Sequence, residues 1–250
     1  GGGNWGSRGT GIGGEAVYQA GKALRDNILR LVARLRESES TRFDVRNGHI
    51  VDSGDGASLM SLENVARTVY FRTDNVPPDY QPELTVTRSY AQKGYAGVYT
   101  NGIQASYLEI DCDTGLVKLI RHWVVDDCGT IINPLLVDEQ LRGGVVQGIG
   151  AALLEQCLYG EDGQLLNGSL IDYLVPMAYE MPDIEIGHTC SPTATSELGA
   201  KGAGEAGTAG AAAAVMNAVN DALKPLGVRL TVQPCTPARI LCALGKIAPE

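Results

Sequence analysis

Glu205 ends a run of nearly bare backbone, Lys201-Gly202-Ala203-Gly204-Glu205, directly before a helix-compatible stretch from Ala206 to Leu223. In that stretch Val215, Ala218, Val219, Ala222 and Leu223 follow helical spacing and make one side apolar. Lys224-Pro225-Leu226-Gly227 then ends the helix, because Pro cannot continue it and Gly accepts left-handed geometry. A helix start presents unpaired N–H groups with partial positive charge, and glycines before it let a ligand come close to the main chain. Such a loop suits an anion or an electron-rich oxygen. A carboxylate at its end can be a metal ligand, a charge partner or a general base. The bland alternative is a glycine-rich loop with an ordinary acidic residue in a helix's first turn.

Two further stretches carry chemistry. Gly6-Ser7-Arg8-Gly9-Thr10 combines backbone N–H groups, two hydroxyls and a guanidinium just before a helix, which suits a phosphate. Gly9 to Gly14 also matches G-x-G-x-x-G, but a nicotinamide-binding fingerprint requires a strand directly before it, and the preceding residues are glycine and polar. The other stretch is Val125-Asp-Asp-Cys-Gly-Thr-Ile-Ile-Asn-Pro134, in which a strand ends in a polar turn holding Cys128 and Gly129. Asn133 then caps a helix that starts at Pro134 and runs to about Leu158. Gln140, Gly143, Gly144, Gln147 and Ala151 share one face of it, and Leu141, Val145, Ile149 and Ala152 another. The amide-and-glycine face fits either a ligand or tight helix–helix packing.

These stretches need elements to hold them. Glu15–Arg36 is an expected helix with Val17, Ala20, Leu24, Ile28, Leu31 and Leu35 as its stripe. Phe43–Val51 is an expected hairpin turning at Asn47-Gly48, followed by a short helix over Leu59–Tyr70. Residues 73–83 are irregular and mark a candidate split between two subdomains. Leu84–Tyr90, Gln104–Asp111 and Leu116–Val125 alternate as strands of an antiparallel meander. Glu161–Ser169 is a turn-rich hairpin, Leu170–Pro176 an expected buried strand, and Thr236–Leu244 a short helix with Pro237 at its start. The fold class is α+β, with an antiparallel or mixed sheet and packed helices.

Composition limits the function classes. The 250 residues are 44% hydrophobic and 20% charged, as in a soluble globular protein. A net charge of −9 argues against nucleic-acid binding. No apolar stretch is long enough to span a bilayer and no secretory signal pattern opens the chain, so a cytoplasmic location is expected. Cys112, Cys128, Cys157, Cys190, Cys235 and Cys242 form no C-x-x-C pair and read as reduced thiols, without a zinc or iron–sulfur site of their own. His49, His122 and His188 have no metal-ligand spacing. Asp126 and Asp127 alternate across a strand and read as turn hydrogen-bonders.

Taken in order, Gly6–Thr10, the D-C-G-x-x-I-N-P turn with its Q-x-x-G-G-x-x-Q-G-I-G helix, and Leu198–Ala211 running into the helix to Leu223 resemble the molybdenum hydroxylases. These are the xanthine dehydrogenase, aldehyde oxidoreductase and carbon monoxide dehydrogenase large subunits. The resemblance extends from Asn4 to Leu244 and covers only the C-terminal, molybdopterin-binding part of that subunit. It implies a cofactor site of Gly6, Ser7, Arg8, Gly9, Thr10, Cys128, Gly129, Asn133, Gln140, Lys201, Gly202, Ala203 and Gly204. Gly9 stands where the family's phosphate-binding loop usually has a second serine.

The resemblance further implies Glu205 as the base in a hydroxylation that takes its oxygen from water and attacks an aldehyde or N-heterocyclic carbon. It implies a molybdenum molybdopterin cofactor, as the cytosine dinucleotide. FAD and 2Fe-2S clusters are expected on partner subunits, with the N-terminal portion of the molybdenum subunit as a further partner. The metal is held by the pterin's sulfurs, so no metal ligand is expected from this chain. The chain is then a small subunit of a split enzyme or a fragment. A non-catalytic subunit that only shapes the cofactor pocket, and a nicotinamide-dependent oxidoreductase using Gly9–Gly14, are the other classes.

Overall fold

The computed structural model describes residues 2–94 and 97–248. The chain divides into two compact units, one of Gly1–Gly11 with Gln92–Glu250, the other of Ile12–Ala91.

In the Ile12–Ala91 unit, helix α1 (Glu15–Leu35) precedes an antiparallel sheet of β1 (Phe43–Arg46), β2 (His49–Asp52) and β3 (Ser58–Ser61), then helix α2 (Leu62–Phe71). Asn47 and Gly48 have φ of 48° and 75°, the left-handed pair that a two-residue hairpin of this twist requires. The core joins Leu29, Leu31, Val32 and Ala33 of α1 to Phe43, Ile50 and Val65. The expected stripe is therefore corrected: the fully buried apolar residues of α1 lie in its last turns, Glu15 is buried at its start, and Val17 is 73% exposed. The expected helix at Leu59 is corrected too. Residues 59–61 pair as strand β3, and Ser61 starts α2 by accepting from Asn64 N at 3.2 Å. Leu84–Tyr90 forms no strand; it alternates half-buried and exposed over residues 84–87 only, and pairs with no strand among the described residues.

The larger unit is built on β4 (Asn101–Ile110), β5 (Val117–Asp127) and β6 (Ile184–His188). β4 and β5 pair antiparallel, whereas β5 and β6 run parallel, so the sheet is mixed and no meander forms. Helices α3 (Pro134–Leu153), α4 (Ala206–Leu223) and α5 (Pro237–Ala243) complete it. Leu108, Leu119, Val124, Val145, Ile149, Val215, Val219, Leu223 and Ile240 are buried in one cluster.

The α4 face that faces the core is Gly207, Ala211, Val215, Val219 and Leu223, a row of fourfold spacing; Ala222 is exposed. Gly227, at φ 70°, follows the stop at Lys224–Leu226. Helix α3 ends at Leu153 rather than near Leu158, because the N–H groups of Leu154 and Glu155 both close on Gly150 O at 2.8 Å. The strand expected at Leu170–Pro176 is absent. Asp172 N and Tyr173 N fold back onto Ser169 O as a turn, which leaves Leu170 and Ile171 85% and 89% exposed. Among the described residues no helix is long and apolar enough to cross a membrane.

Candidate functional site

Glu205 is the residue directly before α4, and its own side chain caps nothing. The cap comes from Ser7, whose Oγ accepts the Glu205 N–H at 2.9 Å and donates to Glu205 Oε2 at 2.6 Å. Gly6 and Ser7 have φ of 59° and 57°, a left-handed turn that brings the hydroxyl to the helix. The glycines of the loop make room for it. A Cβ on Gly202 would lie 3.0 Å from Ser7 Cβ, and one on Gly204 3.1 Å from Ser7 Oγ. Their bareness thus serves the approach of another chain segment.

Behind the loop, the turn after β5 pairs with the segment leading into it. Lys201 N donates to Cys128 O at 2.8 Å and Thr130 N to Gly199 O at 3.1 Å, with Gly129 opposite Ala200. A side chain on Gly129, at φ 68°, would collide with the Gly199 carbonyl. Asp127 holds this junction: Oδ1 accepts from Gly129 N and Ser191 N, each at 3.0 Å, and Oδ2 pairs with Lys201 Nζ at 3.2 Å. The Ser191 hydroxyl and amide, ahead of Gly129 N–H and Lys201, hold the Asp127 carboxyl well below the usual carboxylate range. Lys201 therefore lines the site with its stem while its ammonium is committed to Asp127.

Helix α3 supplies the other wall. Asn133 caps it by accepting from Leu136 N at 3.3 Å, and Gln140 Nε2 reaches across to Gly204 O at 2.8 Å. Thr208 Oγ1 donates to Gly144 O at 3.0 Å and lies 3.1 Å from Gln147 Oε1. A Cβ on Gly144 would sit 3.0 Å from Gly207 Cα, and one on Gly148 2.6 Å from Ala211 Cβ. The amide-and-glycine face of α3 divides its duties: Gly144, Gly148 and Gln147 serve helix packing, and Gln140 serves the loop.

These walls enclose a cleft of about 340 Å³. Ser7, Gly9 and Thr10 line it from one side, Cys128, Asn133 and Gln140 from another, and Lys201, Ala203 and Gly204 from the loop. Gly6, Gly129 and Gly202 shape the backbone behind it, and Glu205 stands beside it on Ser7. Arg8 is turned away; it bonds to Gly3 O at 3.1 Å and lies 4.4 Å over the Trp5 ring. Asn4, Thr130, Ile132, Leu136, Val137 and Ala200, outside the expected site residues, also line the cleft. Leu136 and Val137 lie one turn after the Asn133 cap and one before Gln140, so helical spacing between those two carried the signal. Among the described residues no strand directly precedes Gly9–Gly14, which is a π-helical turn leading into α1, so the nicotinamide fingerprint lacks its context there.

The family described as "Molybdopterin cofactor-binding domain" matches residues 1–182. The nicotine 6-hydroxylase large subunit of Paenarthrobacter nicotinovorans is 38% identical over 95% of this chain and 29% of its own. The carbon monoxide dehydrogenase large chain of Hydrogenophaga pseudoflava is 30% identical over 95% and 29%. The crystal structure of quinoline 2-oxidoreductase from Pseudomonas putida 86 superposes with a TM-score of 0.87 at 36% identity, over 97% of this chain and 31% of that one. The chain thus spans about three tenths of the length of the relatives it matches. With its three signatures gathered around one cleft, the chain belongs to the molybdenum hydroxylases, corresponding to the C-terminal, molybdopterin-binding part of their large subunit.

Proposed function

We propose that this chain forms the cofactor-binding and proton-accepting part of an enzyme that hydroxylates a ring carbon beside nitrogen in an N-heteroaromatic substrate, with Glu205 as general base. The observation that carries the reading is the Glu205 carboxylate held beside the cleft by Ser7 at 2.6 Å. The class of substrate follows from relatives named for nicotine and quinoline, both of which contain a pyridine-type ring. An aldehyde carbon is the same chemistry on a less hindered centre.

The residues present fit a molybdopterin-type group. The amides of Asn4, Asn133 and Gln140 offer donors and acceptors to a pterin edge, and Thr10 and Thr130 offer hydroxyls to a phosphate. The bound cofactor would supply the two-electron oxidation, and the cytosine dinucleotide is the form we assign to it. Partner subunits carrying 2Fe-2S clusters and FAD, and the N-terminal part of the molybdenum subunit, complete the proposed assembly. Within this chain, Gln140 and Ser7 hold the loop and the carboxylate in place. Glu205 accepts the proton of the water-derived oxygen as it attacks the electron-poor carbon, and Ser7 fixes the carboxylate's orientation by occupying Oε2.

The test is Glu205→Gln in the assembled enzyme. It should keep about one molybdenum and one nucleotide per copy yet lose turnover by at least about a thousandfold. Full turnover in this variant would remove Glu205 from the base role. Metal and nucleotide analysis of the wild-type complex tests the cofactor assignment separately.

A further inference from the structure

The first turn of α4, which starts beside Glu205, is tied to the sheet by three side chains outside the cleft. Ser106 on β4 and His122 on β5 are cross-strand partners, and Gln104 lies two residues along β4 on the same face. Gln104 Nε2 donates to the carbonyls of Ala206 at 3.2 Å and Gly207 at 2.9 Å. With its amide nitrogen used in this way, Gln104 Oε1 must accept, and it faces His122 Nε2 at 3.1 Å. The imidazole proton is therefore on Nε2. Nδ1, at 2.9 Å from Ser106 Oγ, accepts from that hydroxyl. The direction of every bond in the chain is set, from Ser106 through His122 and Gln104 to the helix. His122 is fully buried, and Gly210 leaves the space Gln104 needs: a Cβ there would sit 3.1 Å from its amide.

A buried histidine needs partners somewhere in any fold. What distinguishes this one is that its partners end on the two carbonyls immediately after Glu205. At its other end α4 is pinned by Asn220, which donates to Leu230 O at 3.0 Å and accepts from Leu230 N at 2.8 Å. We infer that Gln104, oriented by His122 and Ser106, is a positioning residue that sets where the first turn of α4, and with it the Glu205 carboxylate, stands relative to the cleft. The inference rests on Glu205 being the base.

The experiment compares Gln104→Leu, Ser106→Ala and Glu205→Gln with the wild-type assembled enzyme, by hydrogen exchange and steady-state kinetics. In Gln104→Leu, exchange in the first two turns of α4 should rise about tenfold while α3 stays unchanged. Its kcat should fall about tenfold with KM close to wild type, because the substrate site is untouched. Ser106→Ala removes only the outermost link and should give a smaller change in the same amides. Unchanged α4 exchange in both variants would overturn the inference. Should Gln104→Leu fail to assemble, Ser106→Ala decides alone: raised exchange confined to α4 supports the relay, and none refutes it. Turnover retained by Glu205→Gln would defeat the base reading and the catalytic half of this inference, whereas the exchange result would still decide whether the relay holds the helix.

Discussion

Ser7 and Glu205 are 198 residues apart, yet one hydroxyl accepts the backbone N–H of Glu205 and donates to its carboxylate. A helix normally takes such a cap from the residue at its own start. Here the start position is occupied by the acid itself, and the cap arrives from the far end of the sequence. The arrangement frees the residue at the helix start to carry a carboxylate while satisfying that residue's own exposed N–H.

Ser7→Ala should therefore cost about 1 kcal/mol in chemical denaturation, as loss of an ordinary cap does. It should also lower kcat in the assembled enzyme more than it raises KM, since the carboxylate loses its fixed orientation. Stability and kcat both at wild-type values would show that the hydroxyl has no such role.

Much of this was legible in the sequence, and the reason is local. The start of α4 at Ala206, the Asn133–Pro134 start of α3 and the Asn47-Gly48 turn are each specified by residues within one turn of the event. What the sequence did not disclose is pairing at a distance. Leu84–Tyr90 has the alternation of a strand but joins no sheet among the described residues, and Leu170–Pro176 has the hydrophobicity of one while Ser169 curls it into a turn. The same limit applies to the site. Glycine at 202 and 204 was readable as a need for bare backbone, but not that Ser7 is what comes close. Arg8, chosen for its charge, is held by Trp5 and Gly3 three and five residues away.

The glycines of α3 should divide by sign. Gly148→Ala places a Cβ 2.6 Å from Ala211 Cβ, so it must push α4 off α3, at about 1–3 kcal/mol. Gly143 has nothing within 4 Å of a built Cβ, and Gly143→Ala should be stabilising by about 0.5–1 kcal/mol through helix propensity alone. Urea unfolding of both variants checks the pair. Similar losses in the two would mean that the close α3–α4 contact is not what the glycines serve. The Gln140–Gly204 bond ties α3 to the loop that leads into α4, so Gly148→Ala should also weaken cofactor retention.

Asp127 and Lys201 are unequal partners. Lys201→Met removes one ion pair but leaves Asp127 accepting from Gly129 N and Ser191 N. Asp127→Asn keeps an oxygen for Gly129 N and Ser191 N but removes the charge and turns a donor amide on the Lys201 ammonium, and should cost about 1–3 kcal/mol at neutral pH, more than Lys201→Met. The folded carboxyl is depressed, so its contribution is present above the ordinary carboxylate pKa and fades as pH falls through the folded value. The gap between wild type and Asp127→Asn should thus narrow under acid conditions. A gap that widens there would reverse the assignment.

His122 gives a test of the same sign on a higher pH window. Burial lowers its pKa to about 4, against about 6.5 when unfolded. Above the unfolded value neither state binds the proton and the group is silent. Between the two values only the unfolded chain binds it, so stability falls as pH drops across that window, by up to about 3 kcal/mol. Asp126 acts in the other sense, since burial raises its carboxyl and its contribution fades as pH rises. Subtracting His122→Gln from wild type cancels that term and leaves the imidazole. The difference should be flat at neutral and alkaline pH and should change steadily across the histidine window. A difference independent of pH would mean that the folded imidazole is not held neutral. Nδ1 would then carry a proton besides Nε2, and the bond between Ser106 and His122 would have to be redrawn with the imidazole donating.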